Sequence, residues 1–341
     1  KKIKNEFSIF FINSSTTKKY RDIGKFRVFK LLIFIKICLD LIYKLNKFKL
    51  DLVYLNLSPH GLGFYKDCFL VFIIKIFNIK IVNHVHGKGI KNEVKKNFLI
   101  KNFYKFIFNG MDLICLSEIL RKDVEKVKDS SCLIQTVNNF AKKINKIKSV
   151  TKNKKTSFIF LSNLVPAKGI LIFLDAIKIL QKKYNRFDFN AKIIGGYSDN
   201  QSQKLILKKK LNLENTFFLG AKFNKEKSIE LSSSDIIVFP TRHKNEAFPV
   251  VLLEAMSAKL AIITSDEGGI PDILTNGIEG LILKNCSADD CASRMLKYLN
   301  HKKLIKKHGN AGYQKFLKHF TFRTFEMNMI KSLKKILMNC N

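Results

Sequence analysis

Residues 240–274 constrain the fold of this chain more than any other stretch: P-T-R-H-K-N-E-A-F-P-V-V-L-L-E-A-M-S-A-K-L-A-I-I-T-S-D-E-G-G-I-P-D-I-L. An apolar strand over 236–239 runs into it. Pro249 fits the first turn of a helix, where a missing N–H costs nothing. That helix carries Val250, Val251, Leu252, Leu253, Ala255 and Met256 and ends near Lys259. A second apolar strand over 260–264 follows at once, and Gly268, Gly269 and Pro271 open another helix. Strand, loop, helix, strand, glycine loop, helix is a βαβ unit of a parallel sheet. In such sheets ligands sit beyond the carboxyl ends of the strands. Glu246 lies in the loop at that end, and Glu254 lies in the helix that follows. Free N–H groups at the start of that helix, around Phe248, Pro249 and Val250, suit an oxygen-rich anionic ligand.

The same alternation of short apolar runs and helical patterns recurs along the chain. Before residue 141 it predicts strands over 7–12, 52–57, 79–85, 112–117 and 133–137. Helices are expected over 24–45, 67–77, 91–108 and 118–128. The segment 142–155 is rich in Lys, Asn and Thr and marks a boundary. The alternation then restarts, with strands over 157–161, 191–194, 217–220 and 280–283, and helices over 170–184, 204–211, 225–232, 288–299 and 301–341. Two α/β domains follow, over 1–145 and 146–324, with a last helix over 325–341. A length of 341 residues and a hydrophobic fraction of 46% suffice for two cores.

Spacing then meets chemistry. An E-x7-E pair alone describes two ordinary glutamates far more often than it describes a site. Here Glu246 is followed by Phe248-Pro249, and Glu254 sits within L-E-A-M. That wider pattern of some thirty residues resembles the retaining glycosyltransferases of family 4. The resemblance is specific over 157–283 and looser over 1–140. It implies the GT-B architecture, two Rossmann-like doubly wound parallel-sheet domains facing a central cleft. The first half would bind the acceptor and the second a nucleotide-sugar. It implies that Glu246, with the backbone of Ala247, Phe248, Pro249 and Val250, holds hydroxyls of the donor sugar, and that Glu254 holds the ribose. It implies that Lys168, in V-P-A-K-G before a helix, neutralises the donor pyrophosphate. Where the family usually has an arginine before this lysine, the chain has Asn163, so Lys168 works alone or another cation compensates. Gly220 would lie beside the nucleotide base.

The first half departs further from the family. Its first loop, residues 13–17, has Ser and Thr where glycines often approach the donor phosphates, and no glycine comes before Gly24. Ser58-Pro59-His60-Gly61 is a turn by composition, and the resemblance puts His60 and Gly61 on the acceptor side. His84 and His86 alternate on one strand, so both point to one face. A structural histidine is the common case at a strand end, and zinc needs a third ligand that the sequence does not supply. By resemblance, His86 contacts the transferred sugar or the leaving phosphate. Neither a metal nor a cofactor is expected, and retention would proceed by front-face attack.

Charge separates the remaining classes. The chain carries 62 basic and 27 acidic side chains, a net charge of +35. Seven of the basic residues are Arg, so the surface lacks the bidentate donors of base readout, and there is no basic tail. A nucleic-acid partner is therefore not expected, and a salt titration of duplex binding discriminates that class. An anionic membrane surface fits the lysines better, at about 1 kcal/mol for each one near the surface. Within 91–108, Lys95, Lys101, Asn102 and Lys105 share one side of a helical wheel whose rest is aromatic and aliphatic. This helix is either buried with a solvated edge or lies at a membrane interface. The most apolar helix pattern, over 28–43, is broken by Lys30, Lys36 and Asp40 and is too short to span. Seven scattered cysteines without C-x-x-C point to reduced thiols. The expected place is cytoplasmic, peripheral to the inner face of the cell membrane. The acceptor would be a glycan or lipid-linked glycan. A nucleotide-sugar epimerase or a phosphorylase of similar fold is the rival enzyme, and dependence of turnover on an acceptor separates them.

Overall fold

The computed structural model of the chain describes residues 2–15, 28–145 and 155–339. The chain divides into two compact units, Lys1–Val137 with Glu326–Asn341, and Asn138–Phe325.

The first unit begins with α1 (Ile3–Glu6), followed by α2 (Val28–Lys47), β1 (Val53–Leu55) and α3 (Gly61–Ile76). It continues with β2 (Ile81–Val85), α4 (Ile90–Glu93), α5 (Phe98–Phe108), β3 (Met111–Cys115), α6 (Glu118–Val124) and β4 (Ile134–Thr136). The four strands form one parallel sheet in the order β1-β2-β3-β4. Every residue of β2 and β3 is buried, as expected for parallel strands covered on both faces. Helices α2, α3 and α5 turn Ile37, Leu41, Val71, Ile74, Tyr104 and Ile107 into the core of this unit. Local chemistry sets the helix starts. The Asn97 side chain accepts the Ile100 N–H at 2.8 Å, and Ser117 accepts the Leu120 N–H at 3.3 Å.

Several expectations for this half are corrected. Residues 7–12 form no strand; Ile9, Phe10 and Phe11 are exposed, and Phe10 stacks on Phe48 at 3.9 Å. An apolar run carries no information about a pairing partner, and this one joins no ladder. Helix α3 starts at Gly61 rather than 67, which shortens the expected loop, with His60 as its N-cap. The single helix expected over 91–108 is two, because the Asn97 cap starts α5 afresh, and Lys95 lies outside it. The helix expected over 118–128 ends at Val124. Thr16, Thr17, Gly24 and most of the 142–155 boundary segment lie outside the described residues.

The second unit holds β5 (Thr156–Leu161), a 3-10 turn (Pro166–Lys168), α7 (Ile170–Lys182), β6 (Phe189–Ile194), α8 (Asn200–Lys210) and β7 (Thr216–Phe218). Then come α9 (Asn224–Ser232), β8 (Ile236–Phe239), α10 (Val250–Ser257), β9 (Ala261–Thr264) and α11 (Ile270–Ile273). The unit closes with β10 (Gly280–Ile282), α12 (Ala288–Asn300) and α13 (Lys302–His319). Helix α14 (Phe322–Met338) starts here, and from Glu326 it groups with the first unit. There Glu326 accepts the Ile3 N–H at 3.3 Å and Lys334 pairs with Glu6 at 2.6 Å. The sheet has six parallel strands in the order β10-β9-β8-β5-β6-β7. The chain winds outward from β5 to β7, then returns to the other side of β5 with β8. The point of reversal lies between β5 and β8, where open α/β sheets leave a crevice. Both strands are wholly buried.

Close backbone approaches lock the loops at that point. A Cβ on Gly169 (φ +90°) would lie 2.0 Å from the Pro240 carbonyl oxygen, and Arg242 donates its N–H to Ala167 O at 2.8 Å. A Cβ on Gly195 (φ +158°) would lie 1.8 Å from Ser162 O. Gly268 (φ +61°) packs under Glu246, where a Cβ would meet the Glu246 carbonyl oxygen at 2.0 Å. Gly268→Ala should cost at least about 1–2 kcal/mol of stability from the left-handed backbone alone. Chemical denaturation measures the loss; a variant as stable as the parent would mean that the loop moves freely away from Gly268.

Candidate functional site

At the reversal point, the carboxyl ends of β5, β6 and β8 and the start of α10 enclose a cavity of about 360 Å³. Its walls include Asn163 and Lys168 after β5, Gly195 and Gly196 after β6, and Glu246 after β8. Pro249, Val250 and Glu254 close it from α10, and Lys222, Phe223 and Lys227 from the β7–α9 side. All belong to the second unit.

Two ion pairs dominate the interior. Lys168 Nζ lies 2.7 Å from Glu246 Oε2, whose other neighbour is Thr241 Oγ1 at 3.2 Å. Glu246 is 7% exposed. Burying a carboxylate is costly unless it has charged or hydrogen-bonding partners, and Lys168 and Thr241 provide them. Lys227 Nζ lies 2.5 Å from Glu254 Oε1, with both side chains mostly covered. Pro249 is the N-cap of α10, so the helix starts at Val250. A helix leaves its first N–H groups without intrahelical acceptors, and the first two residues of α10, Val250 and Val251, line the cavity. The site therefore offers carboxylates that accept from hydroxyls, lysines, and a helix N-terminus that favours negative charge.

Six of the residues expected from the sequence meet here: Asn163, Lys168, Glu246, Pro249, Val250 and Glu254. Ala247 and Phe248 are next to them in the chain but do not line the cavity. The carbonyl of Ala247 accepts the Gly269 N–H at 2.7 Å, and that of Phe248 accepts from Asn139 Nδ2 at 3.2 Å. The Phe248 ring packs on Phe320, 6.0 Å between centroids. Gly220 accepts the Gly195 N–H at 2.9 Å, and its neighbour Ala221 lines the wall. Lys222 and Lys227 were missed. Lys222 had a positional signal, since it follows β7 at the carboxyl end of the sheet, whereas Lys227 lies within α9 and had none. They are further cations beside Asn163, which brings no charge. Among the described residues, no group of three or more His, Cys, Asp and Glu side chains is placed to hold a metal ion.

The other expected residues lie in the first unit, at the carboxyl ends of its strands. His60 precedes α3, and Gly61 (φ +72°) is its first residue. His86 is exposed at the end of β2, with its ring centroid 4.1 Å from that of His84. The turn after it is anchored by Asp123, whose carboxylate accepts the N–H groups of Gly89, Ile90 and Lys91 at 2.8, 3.0 and 3.2 Å. A Cβ on Gly87 would lie 2.6 Å from Pro59 Cγ, so the loops carrying His60 and His86 are in contact. His84 is fully buried, and its Nδ1 lies 2.6 Å from the Tyr54 hydroxyl.

A sequence profile described as "Glycosyl transferases group 1" matches residues 141–315. The chain is 25% identical over 300 residues to an uncharacterized glycosyltransferase of Methanocaldococcus jannaschii, covering 86% of this chain and 79% of that protein. It is 26% identical over 223 residues to the N,N'-diacetylbacillosaminyl-diphospho-undecaprenol alpha-1,3-N-acetylgalactosaminyltransferase of Campylobacter jejuni, covering 61% of this chain and 56% of that protein. This chain thus spans little more than half the length of the second relative. Among solved structures, the sucrose-phosphate synthase of Thermosynechococcus elongatus superimposes with a TM-score of 0.73 at 14% identity. That match covers 91% of this chain and 78% of the other. At this identity it shows the fold, two parallel-sheet α/β domains of GT-B type.

Burial, and next the charge of His86, push the His84 pKa down to about 3. The unfolded value is about 6.5, so the neutral ring adds stability that is fully present above about pH 6.5 and is lost as pH falls towards 3. The expected slope is ~1.4 kcal/mol per pH unit in that window. Chemical denaturation of the parent and of His84→Gln at several pH values checks it. The stability difference between them should shrink as pH falls, and a constant difference would contradict a buried neutral His84.

Proposed function

Because the chain belongs to the group 1 glycosyl transferases, we propose that it transfers a hexose from a nucleotide-sugar to a glycan acceptor with retention at the anomeric carbon. The observation that carries the reading is the cavity between β5 and β8, where Glu246 and Glu254 each face a lysine. A nucleotide-sugar has three parts, and the cavity has a counterpart for each. Ribose hydroxyls donate to Glu254. The diphosphate meets Lys168, the α10 N-terminus and Lys222, with Asn163 as an uncharged donor. Sugar hydroxyls donate to Glu246. Cations held at this place by the fold stabilise the leaving diphosphate, where electrostatic catalysis has its largest effect. The donor phosphate takes the proton of the incoming acceptor hydroxyl as front-face attack proceeds, and no metal is required in this scheme.

In the same reading, His86 contacts the transferred sugar and His60 and Gly61 stand on the acceptor side. A lipid-linked or cell-surface glycan is the acceptor. The Campylobacter relative, whose name gives a diphospho-undecaprenol-linked acceptor, supports that choice. Such an acceptor places the enzyme at the inner face of the cell membrane, peripherally bound. No described helix is long and apolar enough to cross a membrane.

A panel of nucleotide-sugars, scored by thermal stabilisation, tests the donor. A ligand at a hundred times its Kd should add about 2.7 kcal/mol, and no stabilisation by any of them would sink the donor site. Glu254→Ala should weaken binding of the free nucleotide by about 1.5–3 kcal/mol, the range for a charged hydrogen bond. Calorimetry reads it directly, with Lys227→Met as the control for the lysine left unpaired; unchanged affinity in Glu254→Ala removes the ribose role.

Glu246→Gln should lower turnover more than nucleotide affinity, since this carboxylate touches the sugar. Equal losses in both would reverse the two glutamate roles. Activity should also survive excess chelator, and full loss restored by Mg²⁺ or Mn²⁺ would contradict the metal-free scheme.

A further inference from the structure

Helix α3 is apolar on both its inner and its outer face, with Lys66, Asp67 and Lys75 as its charged residues. Its inner face buries Phe64, Cys68, Val71 and Ile74. Its outer face exposes Leu62, Tyr65, Phe69, Phe72 and Ile76, with Leu62 and Ile76 at 72% and 81%. Those five follow the 3–4–3–4 spacing of a single helical stripe. Helix α2 repeats the pattern with Leu32, Ile35, Leu39 and Ile42 exposed, while Ile37, Cys38, Leu41 and Leu45 enter the core. Helix α5 adds Phe98, Leu99 and Phe106. The stripes adjoin: Phe34 of α2 meets Phe69 at 5.8 Å between ring centroids, and Phe72 meets Phe106 at 5.6 Å. Single exposed apolar residues are ordinary, but a contiguous patch of this extent marks an interaction surface.

Charge selects the occupant. Helices α2, α3 and α5 carry eight lysines and two aspartates, Asp40 and Asp67. Both aspartates are already paired, with Lys44 at 2.8 Å and Lys66 at 3.1 Å. A second copy of this chain on the face would set lysines against lysines with no acid to answer them, and like charges across an interface cost several kcal/mol. An anionic bilayer answers both features, because it accepts apolar side chains between its headgroups and attracts lysines at their level. Lys75 Nζ lies 5.2 Å from the Phe106 ring centre and donates to the carbonyl oxygens of Phe106 and Asn109, so the lysines offered to a surface are those of α2 and α5.

We propose that the outer faces of α2, α3 and α5 dock the protein onto an anionic phospholipid bilayer, with the apolar stripes inserted among the headgroups and the lysines on lipid phosphates. This deepens the peripheral-membrane reading above and replaces the isolated lysine edge of α5 with a face three helices wide. It rests on that reading of location and not on sugar transfer.

Vesicle flotation of the full chain, with no nucleotide-sugar present, tests it separately from the donor site. The parent should float with vesicles containing phosphatidylglycerol and at least tenfold less with pure phosphatidylcholine. Lys36→Glu/Lys47→Glu/Lys105→Glu should lose at least tenfold of the low-salt flotation. Leu62→Glu/Phe69→Glu/Ile76→Glu should lose the portion that persists in high salt. Thermal melting shows whether each variant is folded; if the apolar variant is not, the lysine variant decides alone. The proposal is overturned if the parent stays at the bottom with anionic vesicles, or if the folded lysine variant floats as the parent does. It is also overturned if the parent sediments as a dimer that the apolar variant dissolves while neither binds vesicles.

Discussion

The second unit depends on the backbone crowding at one place, the reversal between β5 and β8. A parallel sheet buried on both faces must send every connection around a helix, so its loops collect at the strand ends. Where the winding changes direction, the loops diverge and leave space between them. Here Gly169, Gly195 and Gly268 bring four loops within contact of each other's carbonyl oxygens. Any side chain at those positions would push the loops apart. The crevice is thus a consequence of topology, but its fixed dimensions come from three missing Cβ atoms.

Into that frame the chain puts two glutamates and neutralises each with a lysine from a different element. Lys168 comes from the turn after β5 and Lys227 from α9, while both glutamates follow β8. A pair drawn from separate elements holds each side chain against its own rotamer freedom, which costs up to about 2 kcal/mol for a lysine. The acids are therefore oriented before any ligand arrives. The thiols of Cys286 and Cys291, one beside this loop system and one in the core, have pKa values raised chiefly by burial, which leaves them poor nucleophiles.

Strands β5, β6, β8, β9 and β10 were legible because continuous apolar runs between turn residues have few alternatives when helices alternate with them. That Glu246, Glu254 and Lys168 belong together was legible only through the family resemblance, carried by E-x7-E with Phe248-Pro249 and L-E-A-M and by V-P-A-K-G before a helix. Lys227 was not: its partner is 27 residues away, and nothing local in K-E-K-S distinguishes a paired lysine from a solvated one. Residues 7–12 misled for the converse reason. Their pattern suits a buried strand, yet pairing is a property of two segments, and this one found none. The split between α4 and α5 turns on a single cap, Asn97, inside a run whose periodicity continues across it.

The excess of lysine has two physical meanings in this chain. On most of the surface it is solvation, spread along both halves and paired only where an acid is near. On the outer faces of α2, α3 and α5 the lysines stand beside leucine, isoleucine and phenylalanine side chains that water does not favour, and only two acids share those helices. In the cavity, Lys168 and Lys227 are held by carboxylates. In the proposed reaction, donor hydroxyls that bond Glu246 and Glu254 draw those oxygens away from the lysines and free positive charge for the diphosphate. Ligand and ion pairs then compete for the same atoms. Affinity reflects the difference between two well-made sets of hydrogen bonds, and the larger gain falls on the state in which diphosphate charge is greatest, as it departs.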